Sequence, residues 1–328
     1  MSRWLTNAII DLEDIRSMRL KLAGLLSAIA VLALVGCGKH EAVGTDGTPS
    51  APLKVGIIPF EDVDAIQKAF QPLATDLGKK SGRPDGQVFV TPSYAGVLQA
   101  LQADQIDCAY LNPLSYVLAT QQFAGTPEKL VPIAMPYFHG SLTYKGVIFV
   151  RADSGINSLQ DLKGKSFAFG DRTSTSSFLY PAGMLKKAGI DPEKDLKPVN
   201  ISGTAGVLAV FNKQADAGAI YEGGITTAFT NAATKKVDQA KVSQFRIIAT
   251  TDPIPNGMFV ARGNLDPATL EKLKAALANI NTDPDGQAAL KAIPWDKMVP
   301  ADDSIFNPVR DNARTFGLDI KALDANKK

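Results

Sequence analysis

Residues 53–77 read LKVGIIPFEDVDAIQKAFQPLATDL, and this stretch decides the fold class. Its first part, residues 53–60, is an apolar run typical of a buried strand. The apolar residues that follow recur at the spacing of a helix with one buried face, at Val63, Ile66, Phe70, Leu73 and Leu77. A strand followed at once by such a helix is the repeating unit of α/β proteins, in which helices cover a sheet.

The same alternation continues towards the C-terminus. Residues 87–92 (QVFVTP) and 107–111 (DCAYL) predict strands, and residues 95–104 (AGVLQALQAD) and 113–123 (PLSYVLATQQF) predict helices. Residues 166–170 (SFAFG) predict a further strand. We therefore expect an α/β fold with two mixed, mostly parallel sheets.

Two long extended segments interrupt this pattern. They read YKGVIFVRADSG at residues 144–155 and FRIIATTDPIPNGMFVAR at residues 245–262, with further βα units between them. Two crossings that flank an inserted α/β block predict two lobes joined by a double-crossing hinge. We place lobe 1 at residues 53–146 plus 251–328, and lobe 2 at residues 147–250. The carboxyl ends of the strands, where open parallel sheets bind ligands, would then face one cleft.

The N-terminus has the features of an export signal. Residues 22–36 (LAGLLSAIAVLALVG) carry no charge, follow the basic residues Arg19 and Lys21, and end directly before Cys37. A basic start, a short apolar run and small residues in this order predict a signal peptide. Its end resembles the bacterial lipobox, which implies a lipid anchor on Cys37. The alternative is a buried helix that ends in a cysteine.

Residues 1–17 do not fit a signal peptide, because they place acidic residues ahead of the apolar run. Translation from Met18 gives a better signal, so we interpret residues 1–17 as a mis-annotated start and residues 18–36 as the signal peptide. Residues 37–52, rich in Gly, Pro, Ser and Thr, predict a flexible tether. The other cysteine, Cys108, lies in an apolar run and is expected to be buried.

Composition and motifs exclude several functional classes. The 35 basic and 33 acidic residues are mixed along the chain, so we expect no nucleic-acid partner. The sequence has no HExxH, GxSxG or P-loop motif and no Cys/His pair placed for catalysis. We therefore expect no catalytic residue, no metal, no cofactor and no enzymatic activity.

The strongest candidate site follows the strand at residues 166–170. Ser174, Thr175, Ser176 and Ser177 are consecutive hydroxyl residues at the start of a predicted helix, where backbone N–H groups lack helical partners. Hydroxyls, free N–H groups and the helix dipole together can hold a tetrahedral oxyanion. The alternative is simple helix capping, for which Ser and Thr are also preferred.

Longer stretches resemble one protein family. Residues 158–171 (SLQDLKGKSFAFGD), the segment STSSFLYP after them, and residues 94–119 (YAGVLQALQADQIDCAYLNPLSYVLA) are similar to motifs of phosphate-, phosphite- and phosphonate-binding lipoproteins of ABC importers. Further matching segments are residues 144–156, 216–222 and 300–311. The resemblance covers residues 53–318 and implies the type II periplasmic-binding-protein fold.

The resemblance also implies ligand-binding residues. Ser174, Thr175 and Ser176 match the family's Ser-Thr-Ser oxyanion cradle, and Tyr94 and Tyr144 match its two cleft tyrosines. Further ligand-binding candidates are Ser177, Asn112, Tyr221 and Glu222. From the residues alone, packing of an amphipathic element is the better interpretation of each tyrosine, and only the match to the family motif favours a role in binding.

Some positions depart from the family pattern. Residues 202–205 read SGTA, without the histidine that the family often has there, and His139 is expected on a surface loop. Glu222 matches one carboxylate of the aminophosphonate receptors, but Asn256 stands near the position of the second. With half of the amine site missing, phosphate, phosphite or a small alkylphosphonate fits better than an aminophosphonate.

The resemblance implies an exported solute-binding protein that captures a tetrahedral phosphorus oxyanion for the permease of an ABC importer in the inner membrane. We expect a monomer, held by lipid at Cys37 in the periplasm or on the outer face of the cell membrane. Two alternatives stay open, which are a lipoprotein sensor of the same fold and a receptor for another oxyanion such as a sulfonate.

Overall fold

The computed structural model describes residues 50–126, 129–231, 233–293 and 295–317. The predicted start at Met18, the signal peptide, the lipidation site at Cys37 and the tether up to residue 49 lie outside the described residues. Within those ranges, no helix has both the length and the apolar character needed to cross a bilayer.

In the described part of the chain, six strands form one sheet. They are β1 (Leu53–Ile57), β2 (Gly86–Val90), β3 (Cys108–Leu111), β4 (Val131–Tyr137), β12 (Met258–Ala261) and β13 (Lys297–Pro300). Their spatial order is β13-β4-β12-β3-β1-β2. β1 pairs in parallel with β2 and β3, whereas β12 runs antiparallel to β3 and β4, and β13 antiparallel to β4.

Several helices pack around this six-stranded sheet. They are α1 (Val63–Lys80), α2 (Tyr94–Gln102), α3 (Pro113–Gln122), α8 (Pro267–Asn279) and α9 (Pro284–Ala292). The first helix begins where the Asp62 side chain accepts a hydrogen bond from Ala65 N. Its buried face is the predicted one from Ile66 to Leu77, although Val63 in the first turn is exposed. The predicted burial of Cys108 is confirmed, since its side chain is 0% exposed in β3.

Among the described residues, five strands form the second sheet. They are β6 (Gly146–Arg151), β7 (Ser166–Phe169), β8 (Lys197–Asn200), β9 (Ala217–Tyr221) and β10 (Phe245–Thr250). Their order is β10-β6-β9-β7-β8. β7 runs parallel to β8 and β9, whereas β6 runs antiparallel to β9 and β10.

The remaining helices lie near the five-stranded sheet or close the chain. They are α4 (Tyr180–Lys187), α5 (Thr204–Phe211), α6 (Gly224–Ala228), α7 (Gln239–Val242) and α10 (Asn307–Phe316), with 3-10 turns at Gln160–Leu162 and Asp303–Phe306. The last helix contacts both α3 and α4. One buried apolar cluster consequently runs through residues of both sheets, including Leu114 and Val117 of α3, Phe178 and Leu179 before α4, and Val309 of α10.

A two-stranded ribbon joins the two sheets. β5 (Thr143–Tyr144) pairs antiparallel with β11 (Ile254–Pro255), so the chain crosses between the sheets twice at one place. The predicted α/β class with two mixed sheets and a double crossing is confirmed. The exact residue bounds of the two lobes stay a prediction.

The strands that follow the two crossings explain why both sheets are mixed. The first residue of each strand that follows a crossing pairs with the last residue of a neighbouring strand, Gly146 of β6 with Tyr221 of β9 and Met258 of β12 with Leu111 of β3. The chain therefore enters each sheet at the edge where the neighbouring strand ends, and the entering strand runs antiparallel to it. Both sheets are mixed for this reason. In each sheet four strands still run in one direction, β1 to β4 in the first and β7 to β10 in the second, so the predicted mixed, mostly parallel sheets are confirmed.

Candidate functional site

A cavity of about 590 Å³ is lined by residues of both sheets and of the ribbon. Most of the predicted site residues line it, namely Tyr94, Asn112, Tyr144, Ser174, Ser176, Ser177, Tyr221 and Glu222. Thr175 is not among the lining residues. His139 also lines the cavity, from an exposed position in the loop after β4. The topology thus brings together side chains that lie far apart in the sequence.

The hydroxyl residues after β7 form a π-helical turn over Thr175–Leu179. Ser174 caps it, because its Oγ accepts a hydrogen bond of 3.3 Å from Ser177 N. Asp171 holds the preceding loop by accepting bonds from the N and Oγ1 atoms of Thr173. Ser174 to Ser177 are all buried. The turn therefore combines the predicted capping with a row of hydroxyls at the cavity.

The helix after this turn begins later than the sequence suggested. Residues 174–189 (STSSFLYPAGMLKKAG) read as one helix with Pro181 inside it. Instead, the π-helical turn ends at Leu179 and α4 begins at Tyr180, so Pro181 stands in the first turn of α4. A proline there costs no helical hydrogen bond, because N–H groups of the first turn have no partner within the helix.

Two tyrosines from other elements reach the hydroxyl turn, the name used here for residues 174–177. The side chain of Tyr94, the first residue of α2, lies near that of Ser174, and the side chain of Tyr144 in the ribbon lies near those of Ser176 and Thr175. Burial raises the pKa of Tyr94 well above its ordinary value and raises the pKa of Tyr144 to about 12. Both phenols consequently keep their protons at neutral pH and can donate hydrogen bonds.

Thr175 links the two sheets. Its Oγ1 donates to Asn112 Oδ1 at 3.2 Å and accepts from Leu114 N at 2.9 Å. Asn112 also caps α3 by accepting from Ser115 N, and its Nδ2 donates to Thr173 O at 3.2 Å. The Thr175 hydroxyl is therefore engaged with the start of α3, next to the cavity.

A carboxylate that the sequence analysis did not single out also lines the cavity. Glu61, in the loop after β1, accepts a hydrogen bond of 2.5 Å from Tyr221 Oη at the end of β9. Burial raises the pKa of Glu61, although the bond from Tyr221 lowers it in part. The position after a strand in an α/β sheet is the signal that could have found it.

The other polar candidates have defined partners. Glu222 Oε1 accepts from Lys145 N at 2.9 Å. Asn256 lines the cavity with its Nδ2 fixed by the carbonyl oxygens of Pro136 and Ser141, at 2.9 and 2.8 Å. The amide is therefore held in one orientation. Asn256 stands near the position where the resemblance implied a second carboxylate, which this sequence lacks.

Four aromatic residues on and around the six-stranded sheet form an aromatic wall, which was not predicted from the sequence. We use this name for Phe60, Phe70, Tyr110 and Trp295, which all line the cavity. Successive rings are 6.2, 5.3 and 4.8 Å apart between centroids, in the order Phe60–Phe70, Phe70–Trp295 and Trp295–Tyr110. The wall joins the loop after β1, helix α1, β3 and the segment before β13.

Chemically, the cavity offers neutral hydroxyl donors on one side and apolar rings on another. Across residues 50–317, apart from the few internal residues that are not described, no group of His, Cys, Asp and Glu side chains is arranged to hold a metal ion. Converging neutral donors suit a small oxyanion.

Comparison with known proteins identifies the family. The model of the periplasmic substrate-binding proteins of ABC phosphonate transporters matches residues 55–306. The chain belongs to this family. It is 29% identical over 280 residues to the phosphonates-binding periplasmic protein of Escherichia coli, covering 84% of this chain and 79% of that protein.

Two further relatives agree with this assignment. A phosphate-import protein of Mycolicibacterium smegmatis is 29% identical over 272 residues, covering 79% of this chain and 81% of the relative. The crystal structure of a binding protein of an ABC phosphonate transporter from Pseudomonas aeruginosa superposes with a TM-score of 0.71 at 25% identity. That match covers 83% of this chain and 94% of the Pseudomonas chain. The predicted type II periplasmic-binding-protein fold is confirmed.

Proposed function

We propose that this chain captures a tetrahedral phosphorus oxyanion in the cavity between its two sheets and delivers it to the permease of an ABC importer. The ligand is phosphate, phosphite or a phosphonate. The observation that carries the proposal is the convergence of Ser174, Ser176, Tyr94 and Tyr144 on one cavity. The names of the relatives, which refer to phosphonate and phosphate, favour the same ligand class.

Neutral donors suit a ligand that must be released again. Each hydrogen bond from a neutral hydroxyl to a charged oxygen contributes about 1.5–3 kcal/mol, and the buried site strengthens it by excluding water. The raised pKa values of Tyr94 and Tyr144 keep both phenols protonated beside an anion. Ser177 is a further proposed donor, whereas Thr175 is proposed to act by holding the turn against α3.

The two sheets would close on the ligand. Bonds from Thr175 to Asn112 and from Tyr221 to Glu61 already join the turns after β7 and β9 to those after β3 and β1. An opened form lacks these bonds, and a bound anion adds contacts from both sides. Ligand binding therefore favours the closed form, which is the form proposed to dock on the permease.

The proposed role also bears on where the protein is located and how it is attached to the membrane. We propose export by the signal peptide and lipid attachment at Cys37, which keeps the receptor beside its permease. The receptor is proposed to work as a monomer without cofactor and without catalysis. Mass analysis of the mature protein tests the anchor, since an unmodified Cys37 contradicts it.

Titration calorimetry of the purified chain tests the ligand class. We expect saturable binding of at least one ligand among phosphate, phosphite and methylphosphonate, and little binding of sulfate. Ser176→Ala should weaken that binding by about 1–3 kcal/mol because a donor to a charged ligand is lost. Ser243→Ala, which removes an exposed hydroxyl after α7, is the matched control. Absence of binding by every phosphorus anion rejects the proposal.

A further inference from the structure

The cavity is larger than the anions named above require. Its volume of about 590 Å³ lies within the ~300–1,000 Å³ range of sites for drug-sized ligands. Methylphosphonate, by contrast, adds a single carbon to the phosphorus group. Ser174, Ser176 and Tyr144 supply hydroxyls for the oxyanion but form only part of the lining. The rest of the lining is available to another part of the ligand.

The aromatic wall defines what that other part can be. Phe60 is half-buried at the cavity, and Trp295, in ring contact with Tyr110, also lines the cavity and is almost fully buried. Ile66 and Ile293 extend the same apolar surface. Burying ligand carbon against these rings is favourable, whereas burying a charged group there without a partner is costly.

The charged residues of the lining oppose a second negative charge on the ligand. Glu61 and Glu222 contribute carboxylates, and among the described lining residues Lys235 contributes one ammonium. Tyr221 holds the Glu61 carboxyl in the cavity, and the backbone of Lys145 holds that of Glu222. A substituent with its own carboxylate would therefore meet repulsion from both.

We propose that the natural ligand carries an uncharged apolar substituent larger than methyl on its phosphorus group, and that this substituent lies against the aromatic wall. This inference rests on the proposed function, because the hydroxyl turn must hold the oxyanion. The proposed ligand is thus a phosphorus oxyanion with an apolar organic group. The group is joined to phosphorus either directly by a C–P bond or through an ester oxygen.

Calorimetry with a ligand series tests the inference on the purified chain. We expect butylphosphonate or phenylphosphonate to bind about tenfold or more tightly than methylphosphonate, since a hydrophobic pocket discriminates single methylene groups about 10–200-fold. Phenyl phosphate against phenylphosphonate distinguishes the ester from the direct bond. Phosphonoacetate, which carries a carboxylate, should bind more weakly than methylphosphonate.

Two variants locate the substituent. Phe60→Ala should remove most of the preference for the larger ligand, so that butylphosphonate and methylphosphonate bind with similar affinity. Ala69→Phe, which adds a ring where Ala69 lines the cavity, should block the larger ligand selectively and keeps the test valid if Phe60→Ala does not fold. Phe211→Ala, at a half-buried ring outside the cavity, is the matched control.

The outcomes separate this inference from the proposed function. Tight methylphosphonate binding without a preference for larger substituents overturns the inference alone. A preference that survives both Phe60→Ala and Ala69→Phe overturns the placement on the aromatic wall. If no phosphorus anion binds at all, the proposed function and the inference fall together.

Discussion

Thr175 Oγ1 donates a hydrogen bond of 3.2 Å to Asn112 Oδ1, joining the turn after β7 to the start of α3. The same hydroxyl accepts from Leu114 N at 2.9 Å, and the Thr175 side chain is 0% exposed. Thr175, the second of the four hydroxyl residues, thus holds the two sheets together beside the cavity. It does so while its neighbours Ser174 and Ser176 face the cavity itself.

Thr175→Ala should therefore lower the free energy of unfolding by about 1–3 kcal/mol, because it leaves the buried Leu114 N–H without its acceptor. Chemical denaturation measures this loss. Thr175→Ser retains the hydroxyl and should recover most of the stability. If Thr175→Ala is as stable as the unchanged protein, the hydroxyl does not join the sheets.

Tyr144→Phe should weaken methylphosphonate binding by about 1–3 kcal/mol, because a buried donor to a charged oxygen is removed. The pKa of Tyr144, raised to about 12 by burial, also predicts that this donor is unchanged between about pH 7 and about pH 9. Calorimetry at both pH values checks the two statements. Tyr137→Phe, at a residue outside the cavity lining, is the control. An equal loss of methylphosphonate affinity in both variants would refute a specific role for the Tyr144 hydroxyl.

Glu61→Gln should change the pH dependence of stability. Burial raises the folded-state pKa of Glu61 above its ordinary value of 4.5, while Tyr221 and Lys235 lower it and Asp62 raises it. The folded protein then binds more protons than the unfolded chain, so Glu61 contributes stability at low pH that is lost as pH rises through the raised pKa.

Unfolding curves over this acidic window measure the effect. Relative to the unchanged protein, Glu61→Gln should gain stability as pH rises from below 4.5 through the raised pKa. Tyr221→Phe, which keeps the carboxyl but removes its donor, is the companion variant and should raise the pKa of Glu61 further. Parallel curves for the unchanged protein and Glu61→Gln would mean that Glu61 titrates normally.

Gly146→Ala should displace the backbone of the hydroxyl turn. A Cβ atom at this first residue of β6 would lie 2.8 Å from Ser176 O and 3.1 Å from Thr251 Cγ2. Because the nearest atom is backbone, the turn itself must shift, so we expect both a lower Tm and weaker methylphosphonate binding. Retained affinity with a lower Tm would show that the turn tolerates displacement.

Local patterns were sufficient to predict the sheets, the first helix and the hydroxyl turn. Val63 to Leu77 encode one helical face, and Ser174 to Ser177 follow a buried strand directly, so short-range chemistry indicates both features. The π-helical turn before Tyr180 was not predicted, because Pro181 is compatible with either a kinked helix or a new helix start.

The residues that were missed come together only through the topology. Glu61 and Tyr221 lie 160 positions apart, and Trp295 reaches the cavity from the segment before β13. No spacing within the sequence relates these positions. Nothing in the sequence alone indicates that Thr175 points at α3 while Ser176 faces the cavity, because that depends on the geometry of the turn.

A crystal structure of the protein with methylphosphonate tests the central claim most directly. We predict the phosphorus group within hydrogen-bond distance, about 2.5–3.2 Å, of the Ser174 or Ser176 hydroxyl and of Tyr144 Oη, in the cavity between the sheets. An oxyanion bound elsewhere, with these hydroxyls unengaged, or a cavity that stays empty at saturating ligand, would contradict the account.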